Sequence, residues 1–416
     1  MTASPQVPPS FLGDREFVTM MALVAALQAL AIDSMLPALG VIANDLRISD
    51  PNDRQLVIAV FLFGIGLGSI FPGAISDRFG RKPVLLACLA GYILPSFACA
   101  FATDINILLI LRAVQAVCSG GLAVMPAAII RDRVSGDRMA RLQSLISMIF
   151  MAVPMIAPTL GQGVLMLLGW RWIFAVMGVL GMAIALWVMA RLPETLNPAY
   201  RQPIALGRVF GNMGTVLTRR ESIGYILASA LTMAGTWGFI NSSQQLIAEH
   251  FGAGDAFPLI FGMMALGMAL ASFTNSRIVE RFGARRVSHT ALFVYIAAAA
   301  GQVWLALSGH ITLWQFVPLM ALNMGLLGFL GANFQSIALQ PFGEIAGAAA
   351  SVQTFVRTLT AGVLGAMVGQ AYDGTSRPLA AALLMAGVFS LALILFSERG
   401  VLFRRLYPRG MPRPEP

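Results

Sequence analysis

Gly73-Ala-Ile-Ser-Asp-Arg-Phe-Gly-Arg-Lys-Pro83 is a strongly charged interruption in a 416-residue chain that is 57% hydrophobic and only 11% charged. The apolar stretches beside it, 55–75 and 84–102, are each long enough to cross a bilayer as a helix rising roughly 1.5 Å per residue. A degraded copy, Thr274-Asn-Ser-Arg-Ile-Val-Glu-Arg-Phe-Gly-Ala-Arg-Arg286, recurs between a later pair of such stretches. The copy keeps its arginines but lacks an equivalent of Asp77, because Glu280 is shifted along the turn. A basic turn used twice, each time between a second and a third apolar span, predicts two similar halves.

Composition sets the solvent. Mean hydropathy is +0.77, and soluble domains usually carry about 25% charged residues. A water-soluble core of this length cannot hide so much apolar surface, so the chain is expected to be all-α and embedded in lipid. Helix is the open-chain solution there, since hydrocarbon offers backbone N–H and C=O groups no partners. The net charge of +9 lies in short loops between apolar runs rather than in a patch with interleaved aromatics, which excludes nucleic acid as the partner. Cys88, Cys99 and Cys118 fall inside apolar spans and read as small buried hydrophobes. No Cys/His cluster has metal-ligand spacing and no nucleophile–base pair is visible, so neither a metal site nor an enzyme is expected.

The apolar runs 17–41, 54–75, 84–102, 106–130, 142–167, 172–191, 222–247, 257–279, 287–308, 312–336, 346–371 and 378–398 predict twelve transmembrane helices in two six-helix bundles. The first run is too long for a signal-peptide core and is expected to stay as a helix. Arg78, Arg81, Lys82, Arg131, Arg133, the arginines of 191–220, Arg285 and Arg286 crowd one side, whereas Arg47, Arg54, Arg171 and Arg377 sit on the other. This bias puts both termini in the cytoplasm. The expected division is a cytoplasmic tail 1–16, an N-terminal bundle 17–191, a central cytoplasmic loop 192–221, a C-terminal bundle 222–398 and a cytoplasmic tail 399–416.

Several stretches carry a resemblance. Gly73-x-x-x-Asp77-Arg78-x-Gly80-Arg81-Lys82 is similar to the signature turn of the major facilitator superfamily. Ala31-Ile-Asp33-Ser-Met-Leu-Pro37 in span one, Leu111-Arg112-Ala-Val-Gln115-Ala-Val-Cys-Ser-Gly120-Gly121 in span four and Pro154-Met-Ile-Ala-Pro158-Thr-Leu-Gly161 in span five resemble its bicyclomycin-resistance (Bcr/CflA) branch of drug:proton antiporters. So do Gly169-Trp170-Arg171 and the Leu192-Pro-Glu194-Thr195-Leu196 end of span six. The resemblance implies the major facilitator fold in a bacterial inner membrane. It implies proton-coupled efflux of small, largely apolar drugs by alternating access, with a proton gradient in place of a cofactor and a monomer as the working unit. A metabolite exporter or a proton-linked uptake symporter on the same fold is the alternative.

Asp33 is the one acidic residue well inside a span. An aspartate there costs roughly 2.5–3.5 kcal/mol on insertion and marks a pathway, which makes it the expected proton-exchange site. Arg112 lies at a similar depth, about 9 Å from the surface against about 12 Å for Asp33, and is the expected partner in proton coupling. Arg357, near mid-membrane in span eleven, departs from the family pattern; it either recognises an anionic substrate group or pairs between the halves. Gln28, Ser34, Thr232, Thr236, Trp237, Asn241, Gln244, Gln315 and Asn323 are candidate substrate contacts. Pro154, Pro158 and Gly161 are expected to bend span five and pack it closely. Gly73, Asp77, Arg78, Gly80, Arg81, Lys82, Asp132 and Glu194 are expected to form a conformational latch, with Asp77 meeting a helix N-terminus.

Overall fold

The computed structural model describes residues 13–404 apart from 49, 51, 135, 197–200, 202–205, 310 and 343–345. Within helices it leaves aside the side chains of 136–141, 143–144, 147–149, 151, 206, 208–210, 212–213, 280 and 346–348. Most of both tails, part of the central loop and the Glu280 side chain thus lie outside the described residues. The described chain is helical throughout. Its first part comprises α1 (Asp14–Asp33), a 3-10 turn (Leu36–Ala38), α2 (Leu39–Asp45), α3 (Leu56–Gly68), α4 (Phe71–Phe79), α5 (Arg81–Cys99), α6 (Ile105–Arg133), α7 (Gly136–Leu168) and α8 (Trp170–Arg191). Then follow α9 (Leu206–Thr218), α10 (Arg220–Gln244) with a π-helical extension (Gln245–His250), α11 (Phe257–Phe282), α12 (Ala284–Leu307), α13 (Leu313–Leu339), α14 (Ala346–Gln370) and α15 (Arg377–Ser397).

The expected count of twelve transmembrane helices is corrected. Among the described residues nine helices are long and apolar enough to cross a membrane, or ten if the bent pair α3–α4 is one span. The second expected span is broken: α4 leaves α3 at 47°. At the break the Ser69 N–H and Oγ both turn back to the Gly66 carbonyl, and Pro72 in the first turn of α4 supplies no N–H to continue the ladder. In α7 the described apolar stretch is only Ala152–Leu168. α14 is 25 residues long but carries Ser351, Gln353, Thr354, Arg357, Thr358 and Thr360, which dilute its apolar character. In α14 these positions lower the mean hydropathy of the segment, whereas in α7 most side chains before Ala152 lie outside the described residues.

Packing sorts the helices. α1 lies against α6, α7 and α8, α3 against α6, and α5 against α6 and α8; α10 lies against α13, α14 and α15, with α11 and α12 on α13. The halves meet where α3 packs on α14 and α7 on α11. Small residues let backbones touch at these crossings, as membrane helices require without a hydrophobic drive between them. A Cβ on Gly68 would stand 1.9 Å from the Val117 carbonyl oxygen, and one on Gly120 would stand 2.5 Å from the Gly68 carbonyl carbon. Large side chains such as Leu94, Leu167 and Trp314 are exposed on the rim, forming the apolar surface that a bilayer covers.

Candidate functional site

A cavity of about 320 Å³ lies where the two groups of helices face one another, walled by α1, α3, α7, α10, α11, α13 and α14. Its lining is mostly apolar, with Met233, Met268 and Met324 supplying flexible side chains that adapt to varied shapes. Two opposite charges interrupt it. Asp33 closes α1 on one wall and Arg357 projects from α14 on another. Among the described residues neither has a hydrogen-bonding or ion-pairing partner, so they are not within ion-pair distance of each other. The Arg357 Nε is sealed from solvent without an acceptor, and the hydroxyls of Ser229 and Thr236 on the α10 wall are likewise unsatisfied. Buried polar groups are ordinarily paired. Three sealed, unsatisfied polar groups thus face one apolar space beside the Asp33 carboxyl.

Asp33 owes its position to a break in α1. The Met35 N–H donates to the Ile32 carbonyl at 3.3 Å, starting a 3-10 turn through Pro37, and so leaves the Ala31 carbonyl without its helical donor. Arg112 takes that carbonyl. Its Nη2 donates to Ala31 O at 3.0 Å, its Nε to Val57 O at 3.2 Å and its Nη1 to Gln115 Oε1 at 2.9 Å. Gln115 in turn donates to Ser96 Oγ. The guanidinium lies 4.0 Å from the centre of the Phe61 ring and 5.7 Å from that of Phe174. Arg112, the expected coupling partner of Asp33, thus meets the Asp33 segment through its backbone. A fully buried Arg112 bonds the backbone two residues before Asp33, where the broken helix presents an orphan carbonyl.

The remaining contact candidates divide. Gln28, Thr232, Thr236 and Trp237 line the cavity, and so does Pro154, which was expected only to shape α7. Ser34 lies behind it, where its backbone meets Gly161; a Cβ on that glycine would be 2.1 Å from Ser34 O. Asn241 is buried with its Nδ2 on Trp237 O. Asn323 is buried with neither side-chain polar atom partnered, yet it does not line this space. Gln315 is far from it, in a capping box with Thr312 that starts α13. Gln244 donates to Glu249 near the end of α10. Ser229 and Met233 were missed, although a period could have found them. Residues 229, 232, 233, 236, 237 and 240 form one i, i+3, i+4 stripe of α10.

At the Gly80 end the basic turn is tied within the first group of helices. Gly80 has φ +104° and joins α4 to α5, a conformation open to glycine; Gly283 repeats it at φ +86° between α11 and α12. Buried Arg81 pairs with Asp132 through Nε at 2.7 Å and with Asp77 through Nη2 at 2.7 Å, and it donates to Ser76. Glu194, not Asp77, meets a helix N-terminus. Its carboxylate accepts the N–H groups of Arg81 at 2.9 Å and Lys82 at 3.2 Å, and also those of Thr195 and Leu196. Lys82 Nζ donates to Met189 O, while Arg78 lies over Phe79. Gly73 has open space where a Cβ would stand. In the second group Arg285 and Glu398 pair at 2.6 Å, and Tyr225 donates to the same carboxylate.

At the opposite end the two groups of helices are stitched together, which the sequence did not announce. Arg54, buried in the 3-10 turn (Asp53–Gln55) that leads into α3, holds Glu249 of the π-helical turn with both terminal nitrogens at 2.7 Å. Gln55 donates to Gln245, and Gln245 to Asn52. Asn52 also donates to the carbonyls of Gln370 and Tyr372, while Gln370 Nε2 donates back to Asn52 O. π-helical turns are rare and recur at functional places. Here the turn presents Gln245 and Glu249 toward the facing half.

A helical membrane protein with a charged apolar cavity between two groups of helices, tied at one end, is built as a carrier of small molecules. Residues 21–366 match the Major Facilitator Superfamily, and the chain belongs to it; it is a transporter, not an enzyme. It is 28% identical over 369 residues, 87% of this chain and 91% of the relative, to the Bicyclomycin resistance protein homolog of Haemophilus influenzae. It is 30% identical over 324 residues, 77% of this chain and 80% of the relative, to Multidrug resistance protein MdtL of Klebsiella pneumoniae. Its fold is similar to the crystal structure of the human organic anion transporter MFSD10 (TETRAN), with TM-score 0.71 and 18% identity over 94% of this chain and all of that one. It is also similar to a bacterial homolog of the human lysosomal transporter Spinster in an inward-facing, unoccupied conformation, with TM-score 0.67 and 16% identity over 95% and 96% of the two chains. The chain is thus a multi-pass membrane transporter related to bacterial carriers.

Proposed function

We propose that this carrier moves small amphipathic compounds bearing an acidic group across the bacterial inner membrane by alternating access, with proton exchange at Asp33. One observation carries the reading: Asp33 and Arg357 line a single, largely apolar cavity, and the Arg357 Nε is sealed there without an acceptor. An arginine inside a membrane protein is costly unless it faces a partner, water or cargo, and its planar fork suits carboxylates and sulfonates. The metabolite-carrier alternative therefore stands ahead of apolar-drug efflux. The arginine bias supports a cytoplasmic Gly80 end, which makes the Arg54 stitch an outer closure and the Arg81–Asp132–Glu194 cluster a latch that stiffens the inner end while the halves rock.

Transport of 2-naphthalenesulfonate into proteoliposomes tests this, because that probe stays ionised at every working pH. The reading expects uptake that is lost in Arg357→Gln, with little movement of the matched naphthyl trimethylammonium cation. A second reading, efflux of largely apolar drugs, is favoured by the names of the bicyclomycin- and multidrug-resistance relatives and by the methionine-rich walls. Equal transport of the anion, the cation and the neutral naphthalenesulfonamide, unchanged in Arg357→Gln, would decide for it.

A further inference from the structure

We infer that a proton at Asp33 and an anion at Arg357 bind cooperatively, so that the carrier moves the two together in one direction rather than exchanging them. The inference rests on the anion reading above and adds the sign of the coupling. Asp33 and Arg357 share one cavity of about 320 Å³ whose other walls are largely apolar, so charge placed at one is felt at the other with little screening. An anion seated on Arg357 repels the ionised Asp33 carboxylate and is accommodated by its protonation. A proton on Asp33 removes the charge that repels the incoming anion. Each favours the other, and by reciprocity the factor is the same in both directions.

A cationic cargo at Asp33 would behave in the opposite way, competing with the proton, as an antiporter requires. Arg357 is what reverses the sense. The other titratable groups around α1 do not alter it. Arg112 on α6 has its donors spent on Ala31 O, Val57 O and Gln115, so it adds the same charge to every state. Tyr92 on α5 donates its hydroxyl to Leu27 O. The described residues that α7, α10, α11 and α13 contribute to the cavity include no titratable group. One proton and one monovalent anion also cancel, so the cargo crosses without net charge.

The test is proton movement when 2-naphthalenesulfonate is added to the purified carrier in lightly buffered solution, together with its affinity between pH 5.5 and 8.5. Cooperative binding predicts proton uptake by the protein and affinity about tenfold tighter at the acid end, within the usual 5- to 150-fold range of coupling. Asp33→Asn should bind the sulfonate with a pH-independent affinity near the acid-limit value and take up no proton. Proton release, or weaker binding at low pH, would overturn the inference while leaving the anion reading intact. Absence of sulfonate binding at every pH would overturn both. The wild-type measurement alone decides if the variant fails to fold.

Discussion

Replacing Glu249 with glutamine should loosen the end of the carrier that the Arg54 stitch holds shut. The substitution preserves size and leaves one oxygen to accept from Arg54, but removes the carboxylate from a two-point ion pair across the halves. Losing one partner of a fully buried pair costs about 3–5 kcal/mol, whereas an exposed pair contributes about 0–1 kcal/mol. The Arg54 side chain is 8% exposed and that of Glu249 46%, so the loss falls between those limits, at about 1.5–2 kcal/mol with the remaining amide bond counted. At about 1.4 kcal/mol per tenfold, the balance between closed and open forms should shift roughly ten- to thirtyfold toward opening at this end. Spin labels at the exposed positions Val41 and Leu259, with Cys88, Cys99 and Cys118 replaced, would report the separation of the halves there. The expected result is a longer-distance population in Glu249→Gln, largely reversed when the pair is rebuilt as Arg54→Glu with Glu249→Arg. An unchanged distance distribution in folded Glu249→Gln protein would refute the claim that this pair holds the halves together.

Other outcomes follow from the same geometry. Glu194→Ala leaves the Arg81 and Lys82 N–H groups at the start of α5 uncapped and should lower thermal stability by about 0.5–2 kcal/mol, read as a drop in melting temperature in detergent. Gly68→Ala puts a Cβ into the Val117 carbonyl and should destabilise by about 1–3 kcal/mol, while Gly163→Ala, with nothing within 4 Å of its added Cβ, should melt like the parent. Arg112→Lys cannot reach Ala31 O, Val57 O and Gln115 from one ammonium. It should therefore displace Asp33 and abolish proton-linked transport even where the protein is still made, as proteoliposome assays of expressed variant would reveal.

The helical membrane fold, the Gly80 turn with Arg81 beside Asp132 and Glu194, and the interior position of Asp33 were legible in the sequence because each rests on a local rule. Long apolar runs need helices, a φ-positive turn favours glycine, and a carboxyl inside a span marks the interior. What escaped depended on how helices are placed against one another. Arg112 satisfies a carbonyl exposed only once α1 breaks, and nothing in its own span records that break. The 47° bend at Ser69 and the polar content of α14 reduce the count of plain crossing helices, yet each stretch alone resembles a span. Arg54 and Glu249 sit at span ends, where a charge reads as topology until the fold brings residues 195 apart in sequence into contact. Gln315 was misread for a related reason: a polar residue in the first turn of a helix serves the cap more readily than a cavity.

The central claim is that Asp33 and Arg357 together make the transport site. Uptake of 2-naphthalenesulfonate into proteoliposomes under an imposed pH gradient, with membrane potential clamped to zero, tests it most directly. The account predicts accumulation from the acidic side by the wild-type carrier and its loss in both Asp33→Asn and Arg357→Gln. Undiminished accumulation in either folded variant would contradict it.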